Sequence, residues 1–195
     1  FFRNAIEPFI KTVSCVEEIP VVINNRDRYE SLTALINWLL SQGMKKIIIL
    51  DNNSTYHSLL SYYSALNDER IRIIRLDYNG GAYSFWEANV YKEIWGDYYI
   101  YTDSDLVPVE ECGIEGLRFL FDNLKKHREV GKIGFGIKID DLPNSFERKQ
   151  YMIDCEKKYW QKKVSENLYD ANIDTTFAIY APYQKGGPGL KAYRS

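Results

Sequence analysis

Apolar residues in the first half of the chain come in short blocks, each closed by a polar cluster. The run "IPVVIN" at residues 19–24 predicts a strand, closed by Asn25, Arg26, Asp27 and Arg28. From Ser31 to Gln42 the period changes: Leu32, Leu35, Ile36, Leu39 and Leu40 fall on one helical face, and Gly43 stands where helices commonly end. "KIIIL" at residues 46–50 is continuous and β-branched, the pattern of a strand buried on both faces of a parallel sheet, and it stops at "DNNST". Residues 59–66 predict a helix, Ile71 to Leu76 a third strand ending in "DYNGG", Ala82 to Trp95 a helix, and Tyr98 to Thr102 a fourth strand ending in "TDSD". Strands alternating with helices predict the α/β class: right-handed crossovers and a mostly parallel sheet flanked by helices.

The later chain is less regular. Glu115 to Lys126 predicts a helix, "KIGFGIKI" at residues 132–139 a strand, Glu147 to Lys163 a charged surface helix, and "IDTTFAIY" at residues 173–180 another strand. The Gly-rich end, "YQKGGPGLKAYRS", predicts a mobile tail.

In an open α/β sheet the carboxyl ends of the strands line one crevice, where ligands bind. Any one polar cluster is explained by loops being wet. Four of them ending successive strands converge on one place, and "YYIYTDSDLVP" at residues 98–108 sets two carboxylates, Asp103 and Asp105, at the end of an aromatic strand.

Composition narrows the choices. With 195 residues, 45% hydrophobic and 27% charged, the chain fits one compact domain, and a formal net charge of -2 gives no basic surplus for nucleic-acid binding. No apolar run approaches the roughly 20 residues that span a bilayer. "FFRNAIEPFIKT" lacks the apolar centre of a signal peptide, and a first residue other than Met points to a trimmed or processed start. Cys15, Cys112 and Cys155 are odd in number and widely spaced, which indicates neither a disulfide framework nor a zinc site and fits a reducing cytoplasm.

Asp-x-Asp at a strand end offers hard oxygens to Mg²⁺ or Mn²⁺, and a cation there would offset the repulsion between the two carboxylates. A calcium loop starting at Asp103 fails, because Val107 has no side-chain oxygen and Pro108 stands where glycine is needed. "DSDLV" also fits the pattern of haloacid-dehalogenase phosphatases, with Asp103 as nucleophile and "IDD" at residues 139–141 as a later acidic pair. There, however, the motif ends the first strand of the core.

In order and spacing, "IPVVINNRDR", "IIILDNNST", "IRLDYNGGA" and "YIYTDSDL" resemble the GT-A glycosyltransferases, family 2 and its bacterial relatives, over roughly residues 17–110, and "NIDTTFAIY" extends the resemblance to almost the whole chain. The resemblance implies a Rossmann-like GT-A domain over residues 1–195, with a nucleotide-sugar half at about 17–110 and an acceptor half at about 111–195. It implies a metal-dependent enzyme, using Mn²⁺ or Mg²⁺, that moves a sugar from a UDP- or GDP-type donor to a saccharide or lipid-linked acceptor. Bacterial surface polysaccharide synthesis, in the cytoplasm or at the inner membrane face, is the setting it suggests. By position, Asn24, Asn25 and Arg26 edge the nucleotide pocket, Asp51 hydrogen-bonds the base, and Asn79 and Gly81 belong to the donor loop. Asp103, beside Ser104, faces the ribose or the metal, Asp105 coordinates the cation, and Asp174 is the general base. The bland reading of Asp174 is a cap or element end, and Asp140 and Asp141 are the next candidates for the acceptor side. Two departures stand out: many relatives supply a late metal-binding His, whereas His57 and His127 read as surface helix residues, and Trp86 stands where an Arg often follows the glycines. A nucleotide-binding domain without transfer is the alternative from another class.

Overall fold

The computed structural model describes residues 13–139, 142–187 and 189–195. The N-terminal stretch read against a signal peptide, and Asp140 and Asp141, lie outside the described residues. Four parallel strands form as the apolar blocks predict: β1 (Val21–Asn25), β2 (Ile47–Asp51), β3 (Ile71–Arg75) and β4 (Tyr99–Asp103), in the spatial order β3-β2-β1-β4. Their register sets Asn25 beside Asp51 and Asn24 beside Asp103, which gathers three of the polar clusters at one end of the sheet. Helix α1 (Glu30–Ser41) buries Leu32, Leu35, Ile36 and Leu39, each worth about 1.5–3 kcal/mol in apolar transfer. It ends as expected at Gly43, whose φ of +79° permits the Gly43 N–H to bond the Leu40 carbonyl and Met44 N–H that of Leu39. Helix α2 (His57–Ala65) leads on to β3, and His57 is exposed at its start.

Beyond β4 the sheet is mixed. Strand β5 (Lys132–Gly134), the hairpin β6 (Lys163–Ser165) and β7 (Leu168–Asp170), then β8 (Ala178–Tyr180) and β9 (Ala192–Arg194) extend it to nine strands, in the order β3-β2-β1-β4-β8-β5-β9-β7-β6. β8 runs antiparallel between β4 and β5, while β9 pairs parallel with β5. Period-two alternation divides the core into two layers. Val21, Ile23 and Ile100 face an aliphatic layer with α1 and α4 (Gly113–Lys126), and Val22, Tyr99, Tyr101 and Tyr180 face an aromatic one with Phe85 and Trp86. The Asn123 carbonyl accepts the His127 N–H that closes α4, so this histidine, half-buried, ends a helix.

Several elements differ from their sequence expectation. Residues 82–95 do not form one helix: α3 (Ser84–Glu87) is one turn, and Asn89 in the left-handed region (φ 60°) separates it from a 3₁₀ stretch, Val90–Ile94. Breaking the helix lets Phe85, Trp86 and Tyr91 all reach the aromatic layer. Trp86 is therefore core, its indole N–H bonded to the Tyr99 hydroxyl. The strand at 132–139 stops after Gly134, and that at 173–180 starts only at Ala178; the charged helix shortens to α5 (Lys149–Lys157), which passes into a 3₁₀ turn at Lys158–Trp160 before β6. Described parts of the Gly-rich end pack against the fold, where a mobile tail was expected: Gly186 sits so close to the Trp86 ring that a Cβ would lie 2.2 Å from it, and β9 is an inner strand.

Candidate active site

The loops after β1, β2 and β3 are tied to one another by side chains. The Asn24 amide oxygen accepts from Asn52 (2.5 Å) and Ser84 (3.2 Å), and its amide N–H reaches the Gly81 carbonyl (3.3 Å). Asn52 in turn accepts the Gly80 N–H and Asn79 the Gly81 N–H, both at 3.1 Å, so the donor loop expected from "DYNGG" folds back over the end of β1. Gly81, at φ +70°, occupies a backbone conformation that side-chain-bearing residues rarely adopt. Asp27 (φ 53°) bonds the N–H groups of Thr55 and Tyr56 at 2.6 and 2.8 Å, clamping the β1 loop to the β2 loop.

Deeper in, Asp51 is fully buried, and its oxygens accept from Ser54 N–H (3.1 Å), the Tyr63 hydroxyl (3.2 Å) and Arg75 Nε (3.1 Å). Tyr63 also accepts from the buried Asn25 (2.9 Å). A buried carboxylate is tolerable only with such partners. Asn25 and Asp51 thus form an internal network, and Arg75, 46% exposed, is what that network presents outward. Arg26 stays exposed beside Asp27.

The carboxylates meet at a cavity of about 670 Å³ between the parallel and mixed parts of the sheet, lined by Asp103, Asp105 and Asp174 together with Tyr83, Lys132 and Thr175. Asp103 is held by the Thr175 hydroxyl at 2.5 Å; burial pushes its carboxyl up, the Thr175 and Asn24 hydrogen bonds pull it down, and Asp105 and Asp174 push it up further. Ser104 is buried behind it, its N–H on the Asn24 carbonyl. Asp174, exposed, accepts from the Tyr83 hydroxyl at 3.0 Å. Below it lies Lys132, 1% exposed, whose ammonium donates to the Asp174 carbonyl (2.9 Å) and the Tyr180 hydroxyl (3.1 Å). Burial lowers the lysine from its ordinary 10.5 to about 8, against the pull of Asp174. At the far end the buried Arg194 pairs with Glu156 and lies over the Tyr159 ring.

Among the described residues no group of three or more His, Cys, Asp or Glu is arranged to hold a metal by itself. Asp103 and Asp105 supply two hard carboxylates in a corner with surplus negative charge, which fits a Mg²⁺- or Mn²⁺-type ion that keeps waters and takes its other oxygens from a phosphate ligand. The Gly-rich segment contributes Gly187 and Gly189 to the cavity wall, whereas Lys185 lies over the Tyr91 ring and Lys191 over Tyr193.

The structure thus brings together Asn24, Asn79, Gly81, Asp103, Asp105 and Asp174, and sets Asn25 and Asp51 behind them. Sequence reasoning missed Arg28, Tyr63, Tyr83, Lys132 and Thr175. Lys132 left a trace, as a lysine opening an otherwise apolar strand.

An α/β fold with a polar crevice at the carboxyl ends of four parallel strands and an acidic cavity beside it is the architecture of GT-A glycosyltransferases. A crystal structure of GalNAc-T7 with UDP, GalNAc and Mn²⁺ aligns with 91% of this chain at a TM-score of 0.58 and 12% identity, over 42% of its own length. One of Staphylococcus aureus TarS 1-349 aligns with 66% of the chain at 0.48 and 18% identity, over 39% of its own length. The chain therefore spans about two fifths of each of these structures. Among curated proteins, no sequence matches. The family model described as glycosyl transferase family 2 matches residues 20–185. The chain belongs to glycosyl transferase family 2. That membership removes the phosphatase reading, and with it Asp103 as a phosphorylated nucleophile. Cys15, Cys112 and Cys155 are free, and no helix among the described residues is long and apolar enough to cross a membrane.

Proposed function

We propose that this domain transfers a sugar from a nucleoside-diphosphate sugar of the UDP or GDP type to a saccharide or lipid-linked acceptor, with Asp103 and Asp105 holding a divalent cation and Asp174 acting as base. The observation that carries the proposal is the meeting of Asp103, Asp105 and Asp174 at one cavity beside the tied donor loops. The UDP, GalNAc and Mn²⁺ that accompany GalNAc-T7 in its crystal structure are in keeping with it. Asn24, Asn79, Gly81 and Ser104 shape the diphosphate side, and Arg26 and the Asp51–Arg75 network bound the base side. When bound, the cation would stabilise negative charge growing on the leaving diphosphate.

The protein's own groups do the rest. Thr175 and Asn24 fix one Asp103 rotamer, so its carboxylate meets the donor without reorganising. Tyr83 holds one Asp174 oxygen, which leaves the other directed to an acceptor hydroxyl, whose proton it takes as the oxygen attacks. A base on the face opposite the leaving group gives inversion. Bacterial surface polysaccharide assembly, at the inner membrane face, is the setting that the likeness to family 2 suggests.

Release of UDP or GDP from a panel of sugar donors, with Mn²⁺ or EDTA and with simple saccharide acceptors, tests the proposal. Cation-dependent release that Asp174→Asn abolishes supports it. Nucleotide binding without release under any acceptor favours the non-catalytic reading.

A further inference from the structure

Asp105, the residue assigned to the cation, is not free: Arg28 reaches its Oδ2 at 3.2 Å. The two come from different loops, after β1 and after β4, and both are surface groups, 58% and 40% exposed, so the pair is cheap to open. The backbone beside Arg28 is fixed by contrast. Asp27 is clamped by Thr55 and Tyr56 and by its own N–H on the Ser54 hydroxyl (2.9 Å), and Tyr29 starts α1, its carbonyl accepting the Thr33 N–H. Arg28 therefore has a tied base and an exposed head beside Asp105, which lines the acidic cavity. A guanidinium and a divalent cation on one carboxylate repel each other. A diphosphate beside them reverses the balance, since it offers oxygens that match the planar guanidinium fork.

Resting on the site reading above, we infer that Arg28 competes with the cation for Asp105 and binds the diphosphate of the donor when donor and cation are both bound. It is thus a donor-binding residue that makes cation and nucleotide bind together better than either binds alone. The coupling is reciprocal: the nucleotide draws Arg28 off Asp105 and frees it for the cation, and the cation displaces Arg28 toward the nucleotide.

Calorimetric titration of wild type, Arg28→Gln and Arg28→Lys separates these effects, first with MnCl₂ alone and then with UDP and GDP in saturating Mn²⁺. Arg28→Gln is expected to bind Mn²⁺ alone about two- to fivefold more tightly, the worth of an exposed ion pair. It is expected to bind the nucleoside diphosphate about tenfold more weakly, the worth of a charge-assisted hydrogen bond. Arg28→Lys restores the weaker Mn²⁺ affinity and only part of the nucleotide affinity. If wild type binds a diphosphate in Mn²⁺ and Arg28→Gln changes neither affinity, or weakens both, the part given to Arg28 is overturned and the site reading stands. If wild type binds no diphosphate with Mn²⁺, the site reading is overturned and Arg28's part falls with it.

Discussion

The two parts of the sheet are stabilised in different ways. Strands β1 to β4 pair in unbroken parallel register, and the loops at their carboxyl ends are tied by short side-chain hydrogen bonds centred on Asn24, Asn52, Asp27 and Asp51. Strands β5 to β9 are three residues each and cannot bury long apolar runs. They add apolar residues to the core, such as Ile133, Leu168, Ile179 and Tyr193, and buried charged groups join them: Lys132 beneath Asp174, and Arg194 against Glu156. The first half is thus prearranged by ties between its loops, while in the second half charged side chains are buried between short strands.

Substitutions in each half can break this contrast. The largest effect is expected for Asp174→Asn: loss of the proposed base lowers kcat by about 10²- to 10⁴-fold, while nucleoside diphosphate affinity, read by calorimetry, stays close to that of wild type. Next, Glu156→Ala leaves a buried guanidinium unpaired and destabilises the fold by about 3–5 kcal/mol in urea denaturation. If the halves are as separate as described, the molecules that remain folded still bind the nucleotide.

Lys132 gives a pH test. Its proton is held more weakly in the folded chain (about 8) than in the unfolded one (10.5), so between those values the unfolded chain binds more protons and stability rises with pH. From about pH 8 to about pH 9.5, wild type should gain about 1.5 kcal/mol relative to Lys132→Met. A flat difference would mean that the ammonium is solvated rather than buried. The smallest effect is expected in the first half: Tyr63→Phe removes one of three donors to Asp51 and the acceptor of the buried Asn25 amide, and costs about 1 kcal/mol, the low end for such a loss, because Ser54 and Arg75 still serve Asp51.

The same contrast explains what the sequence made legible. "IPVVIN", "KIIIL" and "YYIYT" are long enough for strand character to dominate, and their polar ends fall together once the strands are parallel, so Asn24, Asp103 and Asp105 could be placed from the chain alone. A three-residue strand carries too little period to be seen. β9 was hidden in a Gly-rich segment because its place between β5 and β7 is set by long-range pairing. The expected helix at 82–95 failed for a related reason: the demand to bury Phe85, Trp86 and Tyr91 in one aromatic layer overrode local helix preference. Thr175, Tyr83 and Arg28 escaped because each acts through a partner far away in sequence. Asp51 stood out in the sequence as a residue for the base, but its burial among Tyr63, Ser54 and Arg75 depends on packing that spacing does not encode.

The central claim is that Asp103 and Asp105 hold a donor diphosphate through a divalent cation. Thermal stability of wild type and Asp105→Ala with UDP, GDP and CMP, each with and without Mn²⁺, tests it most directly, since a ligand that binds only the folded state raises its melting temperature. The account predicts that UDP or GDP raises Tm of the wild type only when Mn²⁺ is present, and that Asp105→Ala loses the shift. An equal shift in both proteins, or a shift indifferent to Mn²⁺, would contradict it.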